Sequence, residues 1–148
     1  MINFEVMGEP VGKGRPRFSM VNGHAMAFTP AKTASFENLV KLSYSQKYSG
    51  LSFSKGEQIS AVITAYFSVP KSASKKARAN MLSGAVRPVK KPDADNIIKS
   101  ILDALNGIAY YDDSQVVNVI CQKYYAENPR TSVILVPAEK FSEILTIH

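Results

Sequence analysis

Residues 91–113 read KPDADNIIKSILDALNGIAYYDD. Ile97, Ile98, Ile101, Leu102 and Leu105 follow helical spacing, and Asn106-Gly107 is a helix stop. Pro92 disfavours helical backbone at Lys91, so Asp93 lies at an extended entry and Asp95 at the N-cap or in the first turn. The stretch therefore predicts one amphipathic helix with acids at both of its ends. It also holds every aspartate of the chain: Asp93, Asp95, Asp103, Asp112 and Asp113.

Working outward, QISAVITAYFSV (58–69) places Ile59, Ile63, Phe67 and Val69 on one face of a long strand. Ile2, Phe4 and Val6 alternate with polar residues, the pattern of a first strand. Asn22-Gly23 is a hairpin-turn pair. Thr29-Pro30 reads as an N-cap and first helical residue, opening a helix to about Tyr48 with Phe36, Leu39, Val40 and Tyr44 inward. Residues 71–83 predict a basic helix capped by Ser72 or Ser74. Two strands follow at about 115–125 and 131–136, and a short helix after Pro137. His24 reads as a loop residue and Cys121 as a small buried strand residue. No repeat or domain boundary interrupts the pattern, so residues 1–148 read as one α+β domain with two or three helices between strands.

Composition narrows the chemistry. One cysteine excludes an internal disulfide framework and suits a reducing cytoplasm, and two histidines make a Cys/His zinc cage implausible. No apolar run approaches the roughly 18 residues of a membrane span, and MINFEVMGEP lacks the character of a signal peptide. The formal charge of +6 is unevenly divided. Residues 1–91 carry fourteen Lys/Arg against four acids; residues 92–148 carry four against eight. A basic surface for an anionic polymer beside an acidic site fits that division.

Several carboxylates in one small place repel by roughly 4 kcal/mol per pair at 4 Å and an effective dielectric of 20. A helix N-terminus and Lys99, four residues after Asp95, relieve part of this. A hard divalent cation relieves more. An oxygen-only donor set favours Mg²⁺, with Mn²⁺ able to substitute, and such an ion activates water against a phosphodiester. This reading needs the chain beyond Gly107 to bring Asp112-Asp113 back to the Asp93/Asp95 end. Taken singly, Asp93 or Asp95 is an N-cap, Asp112-Asp113 a turn and Asp103 the helical partner of Lys99.

Three basic clusters supply candidate phosphate contacts: Lys13, Arg15 and Arg17; Lys71, Lys75, Lys76 and Arg78; and Arg87, Lys90 and Lys91. GEPVGKGRPRF (8–18) fails as a nucleotide-binding loop, because Gly8 and Gly12 are too close and Gly14 stands where Ser or Thr is needed. No nucleotide cofactor is expected. The tyrosine pairs 110–111 and 124–125 read as core or interface. Three readings compete: a DNA endonuclease, a non-catalytic binder of branched or single-stranded DNA, and a phosphohydrolase of small esters. The basic half disfavours the last.

KPDADNIIKSILDALNG followed by YYDDSQVV closely resembles the RusA family of endodeoxyribonucleases, the Holliday-junction resolvases, and PVGKGRPRF is similar to that family's basic N-terminal motif. The resemblance runs from Gly8 to about Val117. It implies a mixed sheet packed with helices, a homodimer, and Mg²⁺-dependent paired cleavage of four-way DNA junctions. It places the catalytic and metal-binding aspartates at Asp93, Asp95 and Asp113 and an essential lysine at Lys99. Asp112 is the adjacent acid, with its role left open.

Overall fold

The computed structural model describes residues 1–14, 17–28 and 30–146; the side chains at 17 and 28 also lie outside the description. Among the described residues, six strands and four helices follow in the order β1 (Ile2–Met7), β2 (Arg17–Val21), β3 (His24–Phe28), α1 (Ala31–Tyr48), β4 (Ile59–Ser68), α2 (Lys75–Leu82), α3 (Ala94–Ala104), β5 (Val116–Ala126), β6 (Arg130–Pro137) and α4 (Phe141–Leu145). A short 3₁₀ turn, Asp113–Gln115, leads into β5. Four strands form a mixed sheet in the order β1-β6-β4-β5. β6 is antiparallel to both neighbours, and β4 and β5 run parallel. The result is an α+β domain with helices on both faces of the sheet.

β4 shows why this order holds. Ile59, Ile63 and Phe67 face α1 and α3, as their alternation predicts, yet Ser60, Val62 and Thr64 on the opposite face are buried too. A central strand covered on both sides reads as a continuous apolar run. Under that second face, Val62, Ile134 and Val136 pack against Ile144 of α4. The main core joins Phe4, Val6, Phe36, Val40, Tyr44, Ile63, Ile97, Ile101, Leu105 and Leu135. Each such side chain contributes about 1.5–3 kcal/mol through burial.

Local expectations fail in small ways. Pro30 occupies the N-cap position of α1 rather than its first turn, and Thr29 lies outside the described residues. Leu39 is exposed and Thr33 is buried instead, because α1 presents the Thr33, Phe36, Val40, Tyr44 stripe to the sheet. His24 opens β3 as its first residue. Ser74, not Ser72, caps α2 by accepting from the Ala77 N–H at 3.1 Å. The β2–β3 hairpin turns at Asn22 and Gly23, both at positive φ (52° and 79°), the pairing a type I′ turn requires.

Candidate active site

α3 carries the acids because its first turn is polar and its remaining inner face is apolar. Asp93 takes the N-cap position with extended backbone, but its side chain makes no capping bond. Its Oδ1 lies 2.7 Å from Lys91 Nζ. Asp95 stands exposed in the first turn, with no ion pair or hydrogen-bond partner for its carboxylate among the described residues. The helix N-terminus favours both charges by about 0.3–1 kcal/mol each. Neither carboxylate is engaged in holding the helix.

One turn on, Lys99 is mostly exposed, and its Nζ lies 3.5 Å from Oδ2 of Asp103. The same oxygen lies 3.4 Å from Lys13 Nζ, which also pairs with Glu37 on α1 at 2.5 Å. Burial works against the Lys13 charge, but Glu37 and Asp103 outweigh it and raise its pKa above the ordinary lysine value. Lys13 belongs to a strap between β1 and β2 that lies across both helices. Its N–H donates to the Asn96 carbonyl at 3.0 Å, the Gly14 N–H donates to Thr33 Oγ1 at 3.0 Å, and Ser100 Oγ donates to the Val11 carbonyl at 2.8 Å. A Cβ on Gly12 would meet Pro92 Cβ at 2.8 Å, and one on Gly14 would meet Thr33 Oγ1 at 2.9 Å. These two glycines permit close packing of the strap; they build no phosphate cradle.

The acids that follow α3 are held by a clip. Tyr110 is buried and its hydroxyl donates to the Leu102 carbonyl at 2.6 Å; burial, with the charges of Asp113, Asp103 and Asp112, keeps the phenol protonated. Gln115 makes four bonds. Its Oε1 accepts from the Tyr111 and Asp112 N–H groups at 3.0 and 3.1 Å, and its Nε2 donates to the Ser54 and Glu57 carbonyls at 2.9 and 3.0 Å. Asp112 completes the capping box by accepting from the Ser114 N–H at 3.2 Å, which lowers its pKa. The Asp113 N–H donates to Asn106 Oδ1 at 2.8 Å. Its carboxyl is raised by burial first, then by the Asp112 charge and by the adjacent Asp103 carboxyl.

The clip fixes Asp113 at the C-terminal end of α3. Asp95 and Asp103 are eight residues apart on that helix, about 12 Å along its axis. The return of Asp112-Asp113 to the Asp93/Asp95 end, expected from the sequence, is therefore not what one chain forms: Asp113 meets Asp103 instead. Among the described residues no three acidic, histidine or cysteine side chains are grouped to hold a metal ion. The oxygen-rich donor set suits Mg²⁺ or Mn²⁺ in kind, but within a single chain Asp93, Asp95 and Asp113 do not converge on one ion.

The basic residues divide. Lys13 is engaged as described, Arg15 lies outside the described residues, and so does the side chain of Arg17. Lys75 and Lys76 are exposed on α2, while Arg78 pairs with Glu127 at 3.2 Å. Lys90 and Lys91 are exposed on the loop that enters α3, beside Asp93. Arg87 stacks 4.1 Å over Tyr124, and Arg130 4.0 Å over Tyr66. Cys121 is partly buried against the main core, and burial pushes its thiol up to about 11, so it is a packing residue. Sequence reasoning missed Gln115. The spacing Asp112-x-x-Gln115 is that of a capping box, and this signal was available to find it.

Comparison with known proteins supplies a family. The model of a family described as endodeoxyribonuclease RusA matches residues 7–136. The chain is also 41% identical over 136 residues to "Uncharacterized protein YqaN" of Bacillus subtilis (strain 168), covering 90% of this chain and 94% of that one.

Proposed function

The chain belongs to the RusA endodeoxyribonuclease family, and from that premise we propose that it is a structure-selective DNA endonuclease that resolves four-way junctions by paired phosphodiester cleavage. The observation that carries this reading is the state of Asp93 and Asp95. Two carboxylates occupy an exposed helix entry, neither caps the helix, and two lysines lead directly into it. Charge that the fold does not require, placed beside groups that attract phosphate, is what a phosphodiester-cleaving site needs.

In this reading Asp93, Asp95 and Asp113 are the metal ligands and Mg²⁺ the natural ion, with Mn²⁺ substituting. Lys99 offers a positive charge one turn from Asp95, where it stabilises negative charge developing on the phosphate. Lys90 and Lys91, with Lys75 and Lys76 of α2, contact the DNA backbone without reading sequence. Asp112 holds the loop that presents Asp113 and does not ligate. Two cuts in strands of like polarity require two sites, which a two-fold homodimer presents together.

The test is cleavage of a labelled synthetic four-way junction, against linear duplex and single strand, with and without Mg²⁺. Metal-dependent paired nicks in the junction alone are expected. Junction binding with no nicking in Mg²⁺ or Mn²⁺ would make the protein a branched-DNA binder instead.

A further inference from the structure

The β2–β3 hairpin takes no part in the core or in the acidic site. Among the described residues it forms a two-stranded sheet of its own, paired to none of the four main strands. A two-stranded hairpin alone is marginal in water, and a bound surface stabilises it. Register shows which of its side chains share a face. Phe18 lies opposite Ala27 and Met20 opposite Ala25, so these four form one face without a polar side chain. All four are exposed, Phe18 by 77% and Met20 by 68%. Single exposed apolar residues are ordinary, but a whole apolar face marks a binding surface.

Charge and position indicate what it binds. Residues 10–36, which hold the hairpin and both its roots, contain no Asp or Glu and four cations, Lys13, Arg15, Arg17 and Lys32. Such a segment suits a polyanion and repels a second copy of itself. The roots, Gly14 and Pro30, line a cleft of about 560 Å³ together with Lys32, Lys91, Pro92 and Asn96. Lys91 in turn pairs with Asp93. The hairpin therefore rises beside the entry of α3, and its five-residue strands extend it by about 17 Å. Apolar side chains on such a projection enter DNA where a base step can be opened, and Phe and Met are among those that do so. In linear duplex the opening costs stacking. At a four-way junction the continuous stack is already interrupted where strands exchange, so the same side chains enter at less cost.

We propose that the β2–β3 hairpin is a wedge that seats Phe18 and Met20 against unstacked bases at the branch point. This contact, rather than the phosphate contacts, distinguishes a junction from linear duplex. The proposal rests on the branched-DNA substrate of the reading above and concerns how that substrate is recognised, not how it is cut.

The experiment compares Phe18→Ser with Met20→Ser against Phe18→Leu with Met20→Leu. Both pairs change exposed positions and should leave the circular dichroism spectrum and the sedimenting mass as in wild type. Binding is measured in Ca²⁺ to a synthetic four-way junction carrying a fluorescent adenine analogue beside the branch point, and to linear duplex with the same label. Wild type should brighten the label in the junction and not in the duplex, as the base loses its stacking neighbour. The serine pair should not brighten it, and its preference for junction over duplex should fall at least about tenfold. The salt dependence of binding should be unchanged, because no charge is removed. The leucine pair keeps an apolar wedge and should retain both the brightening and the preference.

A folded serine pair with wild-type brightening and preference would overturn the wedge and leave the nuclease reading standing. The wild-type arm needs no variant: a junction that is bound without brightening overturns the wedge even if the serine pair does not fold. A serine pair that sediments at half the wild-type mass would make the hairpin a contact between copies of the chain instead. A wild-type protein that binds and brightens the junction but never cuts it in Mg²⁺ or Mn²⁺ would overturn the nuclease reading and support the wedge.

Discussion

Lys13 Nζ lies 3.4 Å from Oδ2 of Asp103, tying the strap between β1 and β2 to the last turn of α3. With Glu37 it makes Lys13 a tether between three segments, not a free phosphate contact. Removing Lys13 leaves Glu37 partly buried without its cation and Asp103 with Lys99 alone. Lys13→Gln should cost about 1–2 kcal/mol by denaturant unfolding at pH 7, a value discounted because water reaches the pair. Its pKa is raised, so the contribution is complete below the ordinary lysine value of 10.5 and is lost as pH rises through the higher folded value. The salt dependence of DNA binding should be unchanged. Lys90→Gln with Lys91→Gln should instead reduce the log–log slope by roughly 1.8, from about 0.9 per phosphate contact.

Asp95→Asn should separate function from fold. Its carboxylate holds nothing else in place, so unfolding free energy should change by less than about 1 kcal/mol, the scale of the helix-terminus interaction. Junction cleavage should fall about 100-fold or more, with binding retained. Near-normal turnover in Mg²⁺ would remove Asp95 from the site.

Asp112 and Asp113 should behave oppositely although they are adjacent. Asp112→Asn keeps an acceptor for the Ser114 N–H and should preserve cleavage, whereas Asp113→Asn should abolish it. The pKa of Asp112 is lowered by that bond, so the stability it adds is present above the ordinary value of 3.8 and lost as pH falls through the lower folded value. Thermal melts from pH 5 to pH 2 should show a shallower acid limb in Asp112→Asn than in wild type.

Gln115→Ala removes four hydrogen bonds that fix the acidic loop on the segment before β4. These are partly solvated, so a loss of about 2 kcal/mol is expected in place of the full sum. Cleavage should fall through kcat, with junction affinity retained, because Asp113 loses its position. Gln115→Glu keeps the two acceptor bonds but faces a carboxylate toward the Ser54 and Glu57 carbonyls, and should be no better than alanine. Unaltered kcat in both variants would show that the clip does not position Asp113.

Gly12→Ala places a methyl 2.8 Å from Pro92 Cβ and 3.0 Å from Asn96 Cβ. The strap must lift from the entry of α3, at a cost of about 1–3 kcal/mol. Denaturant midpoints should fall accordingly, with the unfolding slope unchanged.

The sequence by itself determined the elements, because their signals are local. The apolar spacing from Ile97 to Leu105 requires a helix, the alternation in Ile2, Phe4 and Val6 a strand, and Asn22-Gly23 a turn with positive φ. It also determined that the acids are gathered in one segment around a lysine. Partner choice is not local, and the tertiary structure alone decided it. β5 and β6 are neighbours in sequence, yet β4 lies between them, since β4 is the strand buried on both faces. Spacing alone ruled out a nucleotide loop at the strap glycines, but that they pack against Pro92 and Thr33 is visible only in the tertiary structure. Asp113 is 18 residues from Asp95 along the chain, and no periodicity tells which end of α3 it returns to. Tyr110 in the core, bonded to the Leu102 carbonyl, and Gln115 on the Ser54 and Glu57 carbonyls decide that, through contacts between segments far apart along the chain.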